Sequence, residues 1–413
     1  MTRRAAGVLW LSAFSLACGP QGDPELVVTV TDSAGLRILT YDLTDAAPPT
    51  YRTLGAHDLE IGLRDGPAAY VFSTIADATL TVDGGILVSD GQSRELRLFD
   101  RTGAIVRTFG GAGGGPGEFA AAPDIVGVGA DSLFVYDPGN RRVTAFAMSG
   151  GAVSTTTLRS EVGGAPFEVV RLDDGSFMAL TRWVDPAAPP SGPHDMRLEL
   201  DSAVVQRFDS GGQVRDTLRI MPDRNRARIV QDAGAGSMRV MQAQPPLTAR
   251  TFVRTDGARV VIGHSAGFAF EVRAPDGSPG TVVRVLGVDH PATGEEIRAH
   301  QEAAIRADLG DRELDPRVRR LNVDFLPERL PSFQGLIVSH DGHTWVARSE
   351  LDGSAGYDWL VFGPAGDLLG RVHTPPDSRL FAVASDAILV GITDEFDVPY
   401  LRRYPLAGEA GGQ

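Results

Sequence analysis

The chain of 413 residues contains no lysine, so all 39 of its basic residues are arginine. Schiff-base chemistry, pyridoxal phosphate attachment and a P-loop lysine each need a titrating amine and are excluded. Cysteine is nearly absent as well, the single one being Cys18. That removes internal disulfides, cysteine-rich metal sites and a thiol nucleophile from the folded body. Histidine is sparse, with eight in the chain, and aromatic residues make up only 7%. Positive charge is outweighed, the formal balance being −14, and nucleic acid, which needs a concentrated basic surface, is not an expected partner. What is abundant is turn formers: 49 Gly and 27 Pro are set among 42% hydrophobic residues. The combination implies a large core interrupted by many turns.

The N-terminus explains the lone cysteine. Arg3 and Arg4 precede an apolar stretch, Ala5 to Ala17 (AAGVLWLSAFSLA), that is too short to span a bilayer and ends in a small residue before Cys18. This resembles a bacterial lipoprotein signal peptide. The resemblance implies cleavage before Cys18 and a diacylglycerol on its thiol. Residues 1–17 would be the leader and 18–24 a tether to the membrane through the N-terminal lipid. The chain would then sit in the bacterial cell envelope, on the periplasmic or extracellular side. Ser15 stands where that family usually has Leu, which leaves ordinary signal-peptidase cleavage open. Loss of Arg3 and Arg4 leaves 37 basic against 53 acidic residues, a balance of −16.

Beyond the leader a strand and turn rhythm takes over. Residues 83–110 place a turn at Asp83-Gly84-Gly85, a strand at Ile86–Ser89, a polar turn from Asp90, a strand at Leu96–Phe99, a turn at Asp100–Gly103 and a strand at Ala104–Phe109. Moving 47 places along reproduces it, with Leu133 for Ile86, Asp137 for Asp90, Arg141 for Arg94, Phe146 for Phe99 and Gly150 for Gly103. A blade-sized period follows. Further traces lie at 31–42, 173–183 with 204–214, 256–287, 341–349 with 359–372, and 380–406. The first trace lacks an inner strand and the last an outer one, so they share a blade: Leu36–Tyr41 is expected to complete 380–406. The predicted fold is all-β, a six-bladed β-propeller over 25–408 with a helical insertion at about 291–331 between late blades, and a tail at 409–413. Closure protects the sheet edges that an open array exposes.

The run Asp90–Phe119 resembles an NHL repeat, in which F-D, a turn Gly and a strand ending in F-G lead into a Gly-rich link. Gly110, Gly111, Gly115, Pro116, Gly117 and Phe119 match that link, and the repeat at 131–150 matches in part. The resemblance implies a six-bladed propeller of the kind found in bacterial exported lipoproteins.

One stretch leaves the β rhythm. Thr293 and Glu296 form a capping box ahead of Ile297, Ala304, Ile305 and Leu309 at helical spacing, and Gly310 closes the helix. Because turns alternate between the two ends of a propeller, loop lengths sort by end. Tight turns such as Asp100–Gly103 and Asp209–Gly212 share one end. The long links 110–122, 183–199, 221–247, 287–331 and 349–357 share the other, the expected binding face. Arg182, Trp183, His194, Arg224, Arg226 and Arg228 are the candidate binding residues there, with Arg239, Arg317, Arg319 and Arg320 beside them. An arginine-lined mouth suits an anionic ligand such as a carboxylate or sulfated sugar. The helix Glu295–Leu309 is expected to lie over that mouth and partly cover the axial channel.

Catalytic motifs fail on context. Gly263-His-Ser-Ala-Gly267 fits G-x-S-x-G but falls between two strands rather than on a strand-to-helix elbow. His340 and His343 flank an Asp-Gly turn, and the 110–117 run opens no helix and lacks the last glycine of G-x-G-x-x-G. Asp77, Asp124 and Glu168 are channel candidates, but acids do not recur at one phase from blade to blade. The function expected is a binding or scaffold module for a protein, peptide or anionic glycan, without a cofactor and without catalytic residues. The alternative is a metal-dependent propeller hydrolase, lactonase or lyase with axial calcium or zinc.

Overall fold

The computed structural model describes residues 26–183, 196–234, 237–309 and 316–408. Its strands form six sheets. Blade I takes Ile75–Leu80, Ile86–Asp90, Glu95–Phe99 and Ile105–Gly110. Blade II takes Asp124–Val128, Ser132–Asp137, Arg142–Ala147 and Ala152–Thr157. Blade III has a fifth strand: Gly163–Arg171, Phe177–Trp183, Met196–Phe208, Val214–Gly234 and Ser237–Ala243. Blade IV runs through Thr251–Thr255, Val260–His264, Ala269–Arg273 and Thr281–Leu286. Blade V comprises Phe333–Val338, Thr344–Arg348, Tyr357–Phe362 and Leu368–Thr374. Blade VI comprises Ser378–Val383, Ala387–Thr393 and Pro399–Ala407. The first strand of each blade neighbours that of the next, and blade VI returns to blade I, so the innermost strands close a ring.

The repeated Asp and Gly residues build the turns. Asp90 accepts hydrogen bonds from the amides of Gln92 and Ser93 in its own turn and of Ser73 outside it. Asp137 does the same for Gly139, Ala120 and Ala121. Both carboxylates are buried, and each fastens its turn to a neighbouring link. In the link after blade I, Gly110 has φ +84°, and a Cβ there would stand 2.2 Å from the Phe119 ring. Only glycine lets that ring, itself fully buried, reach the core between blades I and II.

Six apolar clusters fill the six gaps between adjacent blades. Leu87, Leu98, Leu133 and Phe146 lie between I and II; Trp345, Val361, Ile388 and Tyr404 lie between V and VI. Strands buried on both faces follow, as in Ile86–Asp90, every residue of which is buried. This is why the sequence shows short continuous apolar runs rather than clean alternation.

The seam differs from expectation. Leu36–Asp42 does not complete blade VI; it pairs in parallel with Thr281–Leu286 of blade IV, and Val27–Ser33 adds antiparallel outside it. Leu39 and Tyr41 turn inward, and the Tyr41 hydroxyl donates to Gly366 O at 3.0 Å and accepts from Leu368 N at 3.1 Å. The chain then runs along the rim past blade V, where Tyr51 N and Arg371 N exchange bonds with Arg371 O and Pro49 O. Only beyond this does it reach blade VI, which Thr53–Leu54 and Leu59–Ile61 complete by pairing with Pro399–Ala407. Closure by N- and C-terminal strands holds; the closing strand is later and shorter than expected.

The insertion contains a helix at Gly294–Leu309, and the capping box forms, Thr293 N donating to Glu296 Oε2 at 2.8 Å and Glu296 N to Thr293 Oγ1 at 3.3 Å. Ile297 is fully buried with Ala292, Leu326 and Leu330, against Leu247 and Leu351. Leu247 and Leu351 belong to the links after blade III and within blade V, so the helix lies at the long-loop end.

Candidate functional site

The innermost strands carry the site, and their irregularities aim it. Five of the six break register near the same level, beside Ala76, Val126, Glu168, Gln334 and Phe381; only Thr251–Thr255 is regular. A bulge adds a residue on one strand and re-aims its side chain. Here the bulges bring Asp77, Asp124, Glu168 and Gln334 to one axial cavity of about 650 Å³, into which Arg250, Arg254 and Arg379 also project. Glu168 takes a left-handed backbone, φ +49°, inside its bulge, a conformation a non-glycine residue adopts only when its surroundings hold it there.

The three acids meet burial in three ways. Asp77 accepts from its neighbour Ala78 N at 2.9 Å and from Ile125 N of blade II at 2.9 Å. Burial nevertheless lifts its carboxyl above the usual range, the bond from Ile125 opposing. Glu168 bonds the Arg254 guanidinium, with Arg250 Nη1 at 4.0 Å. Burial pushes this carboxyl up, but Arg254, Arg250 and Arg224 outweigh it and hold it below the ordinary glutamate value. Asp124 looks onto the lumen and is wetted there, yet protein surrounds most of it. Burial first, then the charges of Asp77 and Glu168, push it up to about 7.

Two guanidiniums keep donors available. Arg379 stacks on Phe381 with 4.5 Å to the ring centroid, and Arg250 on Phe252 at 4.3 Å. Among the described residues Arg379 has no carboxylate within ion-pair distance, and the nearest to Arg250 is Glu168. Burial and neighbouring arginines push Arg250 down to about 10, so it stays charged at neutral pH.

A second cavity of about 260 Å³ opens beside the channel, sharing Arg250 and Gln334 with it. Leu247, Leu330 and Pro245 line it together with Arg224 and Ser349.

The loop arginines proposed from sequence divide. Arg224 lines the side cavity and donates to Gln244 Oε1 at 2.6 Å. Arg182 and Arg226 do not reach it, because buried Asp201 holds both, at 3.2 and 2.6 Å. Trp183 ends a strand of blade III, 39% exposed. Arg319 is tied to Glu302 and Asp324 within the insertion. Cys18 and His194 lie outside the described residues, as does the side chain of Arg228. The helix lines neither cavity; it supports the side cavity from behind through Leu247 and Leu330, so the expected lid is a buttress. Ser265 of the G-x-S-x-G run sits in a strand-to-strand turn with its Oγ accepting Arg250 N at 2.9 Å. His343 pairs with Asp341 in a tight turn at the other end.

Arg250, Arg254 and Arg379 were not among the sequence candidates, although a signal exists. Positions 250, 252 and 254 alternate as Arg, Phe, Arg, and 379 and 381 as Arg, Phe. A period of two puts each set on one face of an inner strand.

A metal does not fit this donor set. Among the described residues no three His, Cys, Asp or Glu side chains gather as a cage, and of the lumen acids Glu168 is already taken by Arg254. Calcium and zinc prefer converging free oxygen or imidazole ligands.

No family model and no curated protein matches the chain. Solved structures are similar in overall arrangement. A protein described as exported, from Bacteroides fragilis, is 11% identical with a TM-score of 0.48, covering 90% of this chain and 100% of its own. A calcium-binding regucalcin from Agrobacterium tumefaciens is 10% identical with a TM-score of 0.41, covering 87% and 97%. A streptogramin B lyase is 10% identical with a TM-score of 0.39, covering 85% and 87%. Likeness at this level carries no site residue from any of them to this chain.

Proposed function

We propose that this chain is an exported, lipid-anchored propeller that binds a small organic anion in its axial channel, entered from the long-loop end. The observation that carries the reading is the pair Arg250 and Arg379. Both guanidiniums lie over a phenylalanine ring at the lumen with donors to spare. A carboxylate fits such donors bidentately, and a cavity of about 650 Å³ has the size of a small-molecule site. The leader ending just before Cys18 supports export and lipidation, and the 90–119 run supports kinship with NHL-type propellers.

The test is calorimetric titration of the leaderless protein with succinate and with uncharged glycerol as a control. Succinate should bind and glycerol should not. Arg379→Gln should weaken succinate about ten- to hundredfold, since a charge-assisted bond contributes roughly 1.5–3 kcal/mol. Equal heats for the two solutes, or an Arg379→Gln variant that binds succinate like the parent, would sink the proposal.

A further inference from the structure

We infer that the ligand is a carboxylic acid bearing a mid-sized arm, apolar along one flank with a hydrogen-bond acceptor near its tip, and that this arm occupies the side cavity beside the channel. The inference rests on the channel reading above and adds the shape and chemistry of the rest of the molecule.

Three observations lead to it. The two cavities are contiguous: Arg250 and Gln334 line both, so a carboxylate held by Arg250 in the channel has its substituent at the entrance of the side cavity. The side cavity has about 260 Å³, well above the roughly 150 Å³ that accepts a benzene ring in an apolar protein interior. Leu247 and Leu330 of its lining are packed against Ile297 of the helix, which holds that side of the cavity in place.

The polar part of the lining supplies the second requirement. Ser349 is only 3% exposed, lines the cavity, and its hydroxyl has no hydrogen-bond partner among the described residues. A buried hydroxyl without a partner is costly to the fold. Arg224 lines the same cavity with its Nη1 on Gln244 and its Nε facing the Asp223 carboxylate at 4.0 Å, so it is already engaged. An unanswered hydroxyl and aliphatic carbon in one lining match an arm with a carbonyl or similar acceptor. They match neither a plain alkyl chain nor a second carboxylate, which Glu350 in the same lining would repel.

Acetate, hexanoate and 5-oxohexanoate separate the parts. Hexanoate should bind at least about tenfold tighter than acetate, because each buried methylene adds roughly three- to fourfold. 5-Oxohexanoate should gain about a further fivefold from one neutral hydrogen bond. Thr248→Phe, which fills the side cavity from its rim, should bring hexanoate down to the level of acetate and leave acetate unchanged. Ser349→Ala should erase only the advantage of the oxo group. Arg379→Gln should weaken all three acids by one common factor. Three acids of equal affinity that all respond to Arg379→Gln would overturn the arm and leave the channel standing. Absence of binding, or binding indifferent to Arg379→Gln, would overturn the channel reading and the arm together.

Discussion

Replacing Ile61 by Ala tests where the ring is sealed. Ile61 is 2% exposed and packs with Phe72, Ile75, Leu80 and Phe99 of the blade I side and with Leu389 and Leu401 of blade VI. The substitution removes three buried carbons, about 2.4 kcal/mol at roughly 0.8 kcal/mol each, and leaves a cavity that raises the cost to about 3–4 kcal/mol. The neighbouring backbone has little spare room, since a Cβ added at Gly62 would stand 2.9 Å from Pro399 O and from the Tyr400 ring. An unfolding entropy of about 2.1 cal/mol/K per residue over roughly 360 described residues gives about 0.8 kcal/mol/K, so Tm should fall by about 4–5 °C. The comparison is Val30→Ala on the outermost strand of blade IV, where the side chain is 51% exposed and the expected change is under about 0.5 kcal/mol, or less than about 1 °C. Scanning calorimetry reads both. Equal shifts, or an Ile61→Ala protein that melts within 1 °C of the parent, would refute the placement of the seam at Leu59–Ile61.

Succinate binding should weaken about tenfold between pH 6 and 8. Asp124, pushed up to about 7, is largely neutral below that pH and adds a negative charge to the lumen above it, and Asp124→Asn should flatten the profile at the low-pH affinity. Gly110→Ala should cost about 2–4 kcal/mol, seen as a drop of about 3–5 °C in Tm, because a Cβ at φ +84° would meet the Phe119 ring at 2.2 Å. Cys18→Ser should move the protein from the membrane fraction to the soluble fraction or leave it unprocessed; a wild-type chain that is soluble with a free thiol contradicts the anchor.

The blades were legible because each is written twice over, once in its turns and once in its apolar runs. Asp90 and Asp137, 47 residues apart, make the same turn bonds, so equal spacing meant equal structure. The seam was not legible for two reasons. Leu36–Tyr41 alternates as a strand should, but alternation specifies which side faces inward and says nothing about the neighbour, and its partner is in blade IV. The true closing strands have two and three residues, too short to show a period, and Gly55 and His57 between them read as loop. The capping box identified the helix start, since that motif is local. Its position over a side cavity depended on Leu247 and Leu330, distant in sequence, and could not be read from the helix itself.

The candidate site shows no repeated phase in the sequence because the inner strands are not in phase with one another. Each bulge moves the lumen-facing residue by one place, at Ala76 in one strand and at Phe381 in another, so residues that meet in space occupy different offsets in sequence. The architecture tolerates this because the six apolar clusters are centred between blades, so charged side chains can enter the lumen without displacing them. A charge placed there has only its own desolvation to answer. Glu168 answers with a guanidinium, Asp77 with backbone amides, and Asp124 by holding its proton up to about pH 7. Near neutral pH the acids therefore cancel less charge than their number implies. The three arginines keep a positive surplus inside a chain whose balance is −14. That surplus, confined to the axis, draws an anion past an acidic exterior and gives the binding its direction, with Arg379 and Arg250 as the groups left to receive it.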